Sequence, residues 1–182
     1  MAGTERPQKH SPSTPYLDEA RLRQIMELLF FGYRDFTGDA DALLTEYGFG
    51  RAHHRVIYFV GAHPGITVSE LLQILKITKQ SLSRVLGQLI DEGFISQRSD
   101  AADRRRRQMR LTPKGTELER RLIECQSLRI ENACREAGED AVEGFRSVLK
   151  RFINEEDRER VNNGPAEGYG SGETLGVVGK GK

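Results

Sequence analysis

The stretch TVSELLQILKITKQSLSRVLGQLIDEGFISQRSDAADRRRRQMRLTP, running from Thr67 to Pro113, decides the fold. It reads as two short helices, a glycine stop, a strand, a charged turn, a second strand and the start of a new helix. Thr67 is placed to cap the first helix, and Glu70, three residues on, to reach back and complete a capping box. Val68, Leu71, Leu72 and Leu75 then share one apolar face. A tight connection through Lys76 and Ile77 leads to Thr78, a second N-cap candidate. The helix it opens runs to about Glu92, where Gly93 can adopt the left-handed stop conformation. Two helices joined this closely must cross at a large angle.

In the second helix Leu82, Val85, Leu86 and Leu89 fall within one arc when each residue advances about 100°. Opposite them lie Gln80, Arg84 and Gly87, flanked by Ser81, Ser83 and Gln88, with Lys79 in the first turn. That face is polar, and its only charges are positive. It suits a DNA major groove: glutamine pairs two-pronged with adenine, arginine with guanine, serine with either, and Gly87 lets the backbone come close. An ordinary solvated helix face would share the amphipathicity; what separates the two is the segment that follows.

Phe94 to Ser99 predicts a strand, and Arg107 to Leu111 its return partner, with Met109 and Leu111 on one face. Between Lys76 and Arg110 stand nine cations (Lys76, Lys79, Arg84, Arg98, Arg104, Arg105, Arg106, Arg107, Arg110) and four anions (Asp91, Glu92, Asp100, Asp103), a local charge of +5 in a chain of net charge +1. Charge is segregated rather than abundant. Phosphate binding by counterion release draws on such a patch. An arginine run alone is commonly a solvated loop; beside a helix-turn-helix it predicts a DNA-contacting wing.

These residues resemble the MarR family of bacterial winged helix-turn-helix transcriptional regulators. The matching positions are Thr78, Ser83, Arg84, Leu89 and Gly93, then Asp100, Asp103, Arg105, Leu111, Thr112 and Gly115. In such proteins a wing arginine enters the minor groove while an aspartate holds it, roles the resemblance implies for Arg105 and Asp103. Ala101 stands where the family usually has proline, and the run leaves open which of Arg104, Arg105 and Arg106 is inserted. The candidate DNA-binding residues are therefore Thr78, Lys79, Gln80, Ser81, Ser83 and Arg84 in the helix, with Arg98, Asp103, Arg104, Arg105 and Arg106 in the wing.

The flanking segments predict a mainly helical fold around a small β wing. Leu22, Ile25, Met26, Leu29, Tyr33 and Phe36 follow helical spacing over about 17–36, and Val56, Ile57, Phe59 and Val60 over about 52–62. Gly65 and Ile66 are candidates for a short edge strand. Thr112 and Pro113 open a long helix as N-cap and N1, running to about Ala137. A last helix is expected over about 139–160, with Val142, Phe145, Val148, Leu149, Phe152 and Ile153 on one face. The expected organisation is a disordered tail over 1–15, one domain over 16–161 and a glycine-rich disordered tail over 162–182. Within the domain the winged helix-turn-helix spans about 52–112, and the dimerisation helices about 17–36 and 113–160. Helices with no core of their own to cover predict a homodimer. Its two reading helices would lie about 34 Å apart, on a near-palindromic operator in double-stranded DNA.

Other functions compete with this one. Cys125 and Cys134 are nine positions apart. On one helix that is about 13 Å, too far for a disulfide, which leaves a cross-dimer bridge or a lone reactive thiol as the redox-responsive alternative. His53 and His54 point about 100° apart and make a poor chelate, so no metal is expected. Eight of the thirteen aromatics crowd into Phe30 to Phe59. Aromatics at helical spacing are usually core; the resemblance instead implies a small aromatic effector, with Phe30, Tyr33, Phe36 and Tyr58 as candidate pocket residues. No phosphate loop, nucleophile elbow or metal motif is present, so neither an enzyme nor a cofactor is expected. The rival class is a protein–protein interaction module using the winged-helix surface. No apolar run approaches about 18 residues and no basic start precedes an apolar block, so a cytoplasmic protein without membrane contact is the expectation, and the resemblance implies that it is a repressor.

Overall fold

In the computed structural model the described residues are 16–99 and 107–162. They form helices α1 (Glu19–Thr45), α2 (Arg51–Ala62), α3 (Val68–Leu75) and α4 (Lys79–Asp91), strands β1 (Ile95–Ser99) and β2 (Arg107–Leu111), then helices α5 (Pro113–Ala137), α6 (Glu139–Phe152) and α7 (Glu155–Asn162). The chain divides into two compact units, 1–35 and 36–182. In the described part of the first, Leu22, Ile25, Met26, Phe30 and Tyr33 are all exposed.

The second unit holds the core. Leu44, Val56, Ile57, Val60, Leu71, Leu82, Leu89, Phe94, Ile95, Met109, Leu118 and Leu122 are almost fully buried. Each contributes about 1.5–3 kcal/mol of burial free energy at its full side-chain value. The predicted core face of α4 is the observed one: Leu82, Val85, Leu86 and Leu89 are its buried residues.

Local chemistry accounts for the boundaries. Thr67 caps α3 by accepting from the Glu70 N–H, while the Glu70 carboxylate accepts the Thr67 N–H at 2.7 Å. Thr78 caps α4 by accepting from the Ser81 N–H at 3.2 Å. Gly93, at φ 76°, lies just beyond α4 in the left-handed region where glycine meets no Cβ penalty. Thr112 caps α5 with Pro113 behind it, as its position predicts. Its hydroxyl also donates to the Gly93 carbonyl at 2.7 Å, fastening the base of the wing to α5.

Four expectations require correction. The first helix does not end at Phe36; it continues to Thr45, because Thr37, Ala40 and Leu44 continue the helical spacing and are buried. The last helix is not continuous to Arg160. Ile153 takes an extended conformation (ψ 152°) and a new helix starts after Asn154, a cap-type residue followed by the acids Glu155, Glu156 and Asp157. Gly65 and Ile66 do not form a strand. They make hydrogen bonds with Met109, Gly65 donating to its carbonyl at 2.8 Å and Ile66 accepting its N–H at 2.9 Å, and Thr67 makes an isolated bridge to Gln108. Phe94 lies just outside β1, which starts at Ile95.

Candidate nucleic-acid interface

Helix α4 presents two chemically distinct faces. Lys79, Gln80, Ser81, Ser83 and Arg84 are exposed, and so is the cap residue Thr78, while the leucine and valine stripe faces inward. The Thr78 hydroxyl donates to the Ser81 hydroxyl at 2.9 Å, which orders the first turn of the exposed face. The N-terminus of α4 carries no acid in its first turn, so its free N–H groups and Lys79 make a positive tip. At Gly87 nothing lies within 4 Å of where a Cβ would stand, so the backbone itself forms the surface there.

Gln88 belongs to a different arrangement from the one its flanking position predicts. It is half-buried, its Oε1 lies 2.9 Å from His53 Nε2, and its Nε2 donates to Glu92 at 2.9 Å. The Gly50 N–H donates to His53 Nδ1 at 3.1 Å, so Nδ1 is an acceptor and the ring proton sits on Nε2, pointing at Gln88. Phe49 stacks on the imidazole at 4.7 Å. One end of Gln88 thus ties α4 to α2, and the other closes on Glu92 at the C-terminal cap of α4 itself. Sequence spacing placed His53 at the helix start; nothing local signalled a partner 35 residues away.

The wing is an antiparallel pair in the register Ile95↔Leu111 through Ser99↔Arg107. Arg98 and Arg107 are exposed on its described part, and Arg107 donates to Gln97 at 3.3 Å. Asp103, Arg104, Arg105 and Arg106 lie outside the described residues. A cleft of about 740 Å³ opens between α3, α4 and the wing, with Val68, Leu72, Leu82 and Ile90 among its apolar lining and Lys79, Ser83, Gly87, Gln97 and Arg107 among its other residues. The cleft therefore brings α4 and wing cations to one concavity. At the wing's base, Lys114 donates to the Glu92 carbonyl at 2.9 Å and sits 4.0 Å over the Phe94 ring.

The other candidates are placed as follows. Phe30 and Tyr33 belong to the first unit and are exposed. In the second unit Phe36 is half-buried, with its carbonyl accepting from Gln126 at 3.3 Å, and Tyr58 is exposed and edge-on to Phe59 at 5.2 Å. Cys125 and Cys134 are free and half-buried, and burial pushes the Cys125 thiol above its ordinary range. His54 makes a hydrogen bond with Gln126 and lies near Asp41; burial nevertheless lowers its pKa. No cluster of three or more metal-ligating side chains occurs among the described residues.

Comparison with known proteins gives a consistent answer. A profile described as the MarR family matches residues 47–106. The HTH-type transcriptional regulator PetP of Rhodobacter capsulatus is 47% identical over 139 residues, covering 76% of this chain and 84% of that protein. Among solved structures, Streptococcus pneumoniae FabT in complex with DNA aligns with a TM-score of 0.66 at 18% identity, over 78% of this chain and 98% of that one. The crystal structure of MarR aligns with a TM-score of 0.59 at 22% identity, over 85% and 99%. The fold is theirs, and at nearly half identity over most of its relative's length the chain belongs to the MarR family of winged helix-turn-helix transcriptional regulators.

Proposed function

We propose that this regulator binds double-stranded DNA sequence-specifically as a homodimer and acts as a cytoplasmic repressor with no catalytic activity. The observation that carries the proposal is the exposed face of α4: uncharged hydrogen-bonding side chains (Gln80, Ser81, Ser83), cations at Lys79 and Arg84, and backbone at Gly87. Uncharged donors and acceptors read base edges, cations hold phosphates, and a bare backbone permits close approach. The wing supplies Arg98, with Asp103, Arg104, Arg105 and Arg106 assigned to its tip by family likeness. The S. pneumoniae relative in complex with DNA supports the same use of this fold.

Dimerisation is supported by apolar side chains left uncovered in a single chain. Leu128 and Ile130 of α5 and Phe145, Val148 and Phe152 of α6 are each at least half exposed. Such faces mark association surfaces. A two-fold pair sets two α4 helices about one duplex turn apart and makes the operator a near-palindrome. A small aromatic ligand relieves repression in this reading by favouring a dimer whose α4 helices are misplaced.

The experiment is selection of bound duplexes from a random library, followed by titration at several salt concentrations. Enrichment of an inverted repeat, with affinity falling steeply as salt rises, supports the proposal. Recovery of no common sequence, or binding indifferent to salt, refutes it.

A further inference from the structure

The corner between α3 and α4 is turned by Lys76, a non-glycine residue in the left-handed conformation at φ 50°. It stands two residues before Thr78, the cap of the groove-facing helix. Its ammonium is already engaged: Glu156 and Asp157 of α7 both pair with it, the latter at 3.5 Å. These partners lie 80 and 81 residues away in sequence, so the contact is tertiary rather than a local helix pair. The hydrogen bond that Lys76 donates to Glu156 raises the lysine pKa, so the corner remains a cation. On its other side α7 is tied to the end of α6. Arg158 donates through Nε to the Ile153 carbonyl at 3.2 Å and through Nη2 to the Arg151 carbonyl at 3.1 Å.

Two carboxylates on one ammonium offer what a phosphodiester would offer, anionic oxygen acceptors, though with two negative charges to its one. In a helix-turn-helix docked through its second helix, the preceding helix crosses the duplex backbone, which brings the corner toward phosphates. We propose that Lys76 is a phosphate-binding residue of the interface, and that Glu156 and Asp157 occupy it in the free protein as an intramolecular phosphate mimic which DNA displaces. The inference rests on the DNA-binding reading above. The pair is suited to exchange, because its lysine is half exposed and exposed ion pairs are weak and screened by salt. The acids of α7 thereby set how tightly any duplex is held, without contributing to sequence choice.

The test uses the full-length protein and a labelled duplex recovered by selection, with a mixed-sequence duplex beside it. Glu156→Gln combined with Asp157→Asn frees Lys76 and removes the competing charge. Binding to both duplexes should tighten about fivefold, and the slope of log affinity against log salt should steepen by about one, because the counterion released at the Lys76 phosphate is no longer offset by cation uptake at the displaced acids. Glu155→Gln combined with Glu159→Gln removes the same charge from acids that do not pair with Lys76, and should give less than half that gain. On a Lys76→Ala background the gain from the first pair of changes should largely vanish. Equal tightening by both pairs, persistence of the gain without Lys76, or no tightening at all overturns the inference while leaving DNA binding intact. Failure of the unaltered protein to bind either duplex overturns the proposed function itself. Circular dichroism across the series separates these outcomes from loss of α7.

Discussion

Replacing Gly87 by alanine should make the free protein more stable and its hold on DNA weaker. Gly87 lies within α4, where glycine costs about 0.5–1 kcal/mol relative to alanine because it surrenders more backbone entropy on folding. An added Cβ would meet nothing within 4 Å, so no steric term offsets the gain. The expected stabilisation is therefore about 0.5–1 kcal/mol, or a rise in unfolding temperature of about 1–4 °C for an ordered body of this size. Against DNA the sign reverses. If the α4 backbone approaches the groove at this position, the new methyl separates surfaces that were in contact, at a cost of about 1–2 kcal/mol, or about tenfold in affinity. Thermal melts at fixed protein concentration, since the midpoint of the proposed dimer would depend on it, and titration of a selected operator give the two numbers. A variant that is less stable, or that binds the operator as tightly as the original, refutes the reasoning.

Gly115→Ala should do the opposite to the fold. Its Cβ would stand 2.1 Å from the Phe94 carbonyl oxygen, a backbone atom that cannot rotate away, so destabilisation of about 2 kcal/mol or more is expected by urea unfolding. In Gly144→Ala, where nothing lies within 4 Å on exposed α6, a gain of about 0.5–1 kcal/mol is expected. Arg84→Ala should relax specificity at one or two base positions at a cost of about 1–3 kcal/mol, whereas Arg105→Ala should weaken all sequences evenly and flatten the salt dependence. Competition binding across operator variants tells the two apart, and uniform loss from Arg84→Ala would assign it to phosphate. Burial lowers the His54 pKa below its ordinary 6.5, so below about that pH the unfolded chain binds the extra proton first. Stability should be complete above that window and fall as pH drops through it, less steeply in His54→Gln, as urea midpoints at about pH 7.5 and about pH 5.5 would show.

What could be read from the chain alone was whatever a few neighbouring residues determine. The Thr67 and Glu70 capping box, the Thr78 cap, the Gly93 stop, the Thr112 and Pro113 start and the leucine stripe of α4 all depend on contacts within one helical turn. Features decided by distant partners were not legible. Burial of Ala40 and Leu44 carries α1 past the expected end, and the left-handed turn at Lys76 has neither glycine nor asparagine to announce it. The break falls at Ile153, the last residue of the apolar stripe, whose helical phasing masked the cap-type Asn154 and the three acids that follow. The exposed α4 residues lay open to helical phasing because exposure follows from the opposite face being core. Gln88 escaped that reading, since its bond to His53 needs the packing of α2 on α4.

The central claim is that a paired protein sets two α4 helices into successive major grooves. Hydroxyl-radical footprinting of the full-length protein on its selected operator tests it most directly. Two protected patches related by a dyad, their centres about ten base pairs apart, are predicted. A single unpaired footprint, or even protection along the whole duplex, would contradict it.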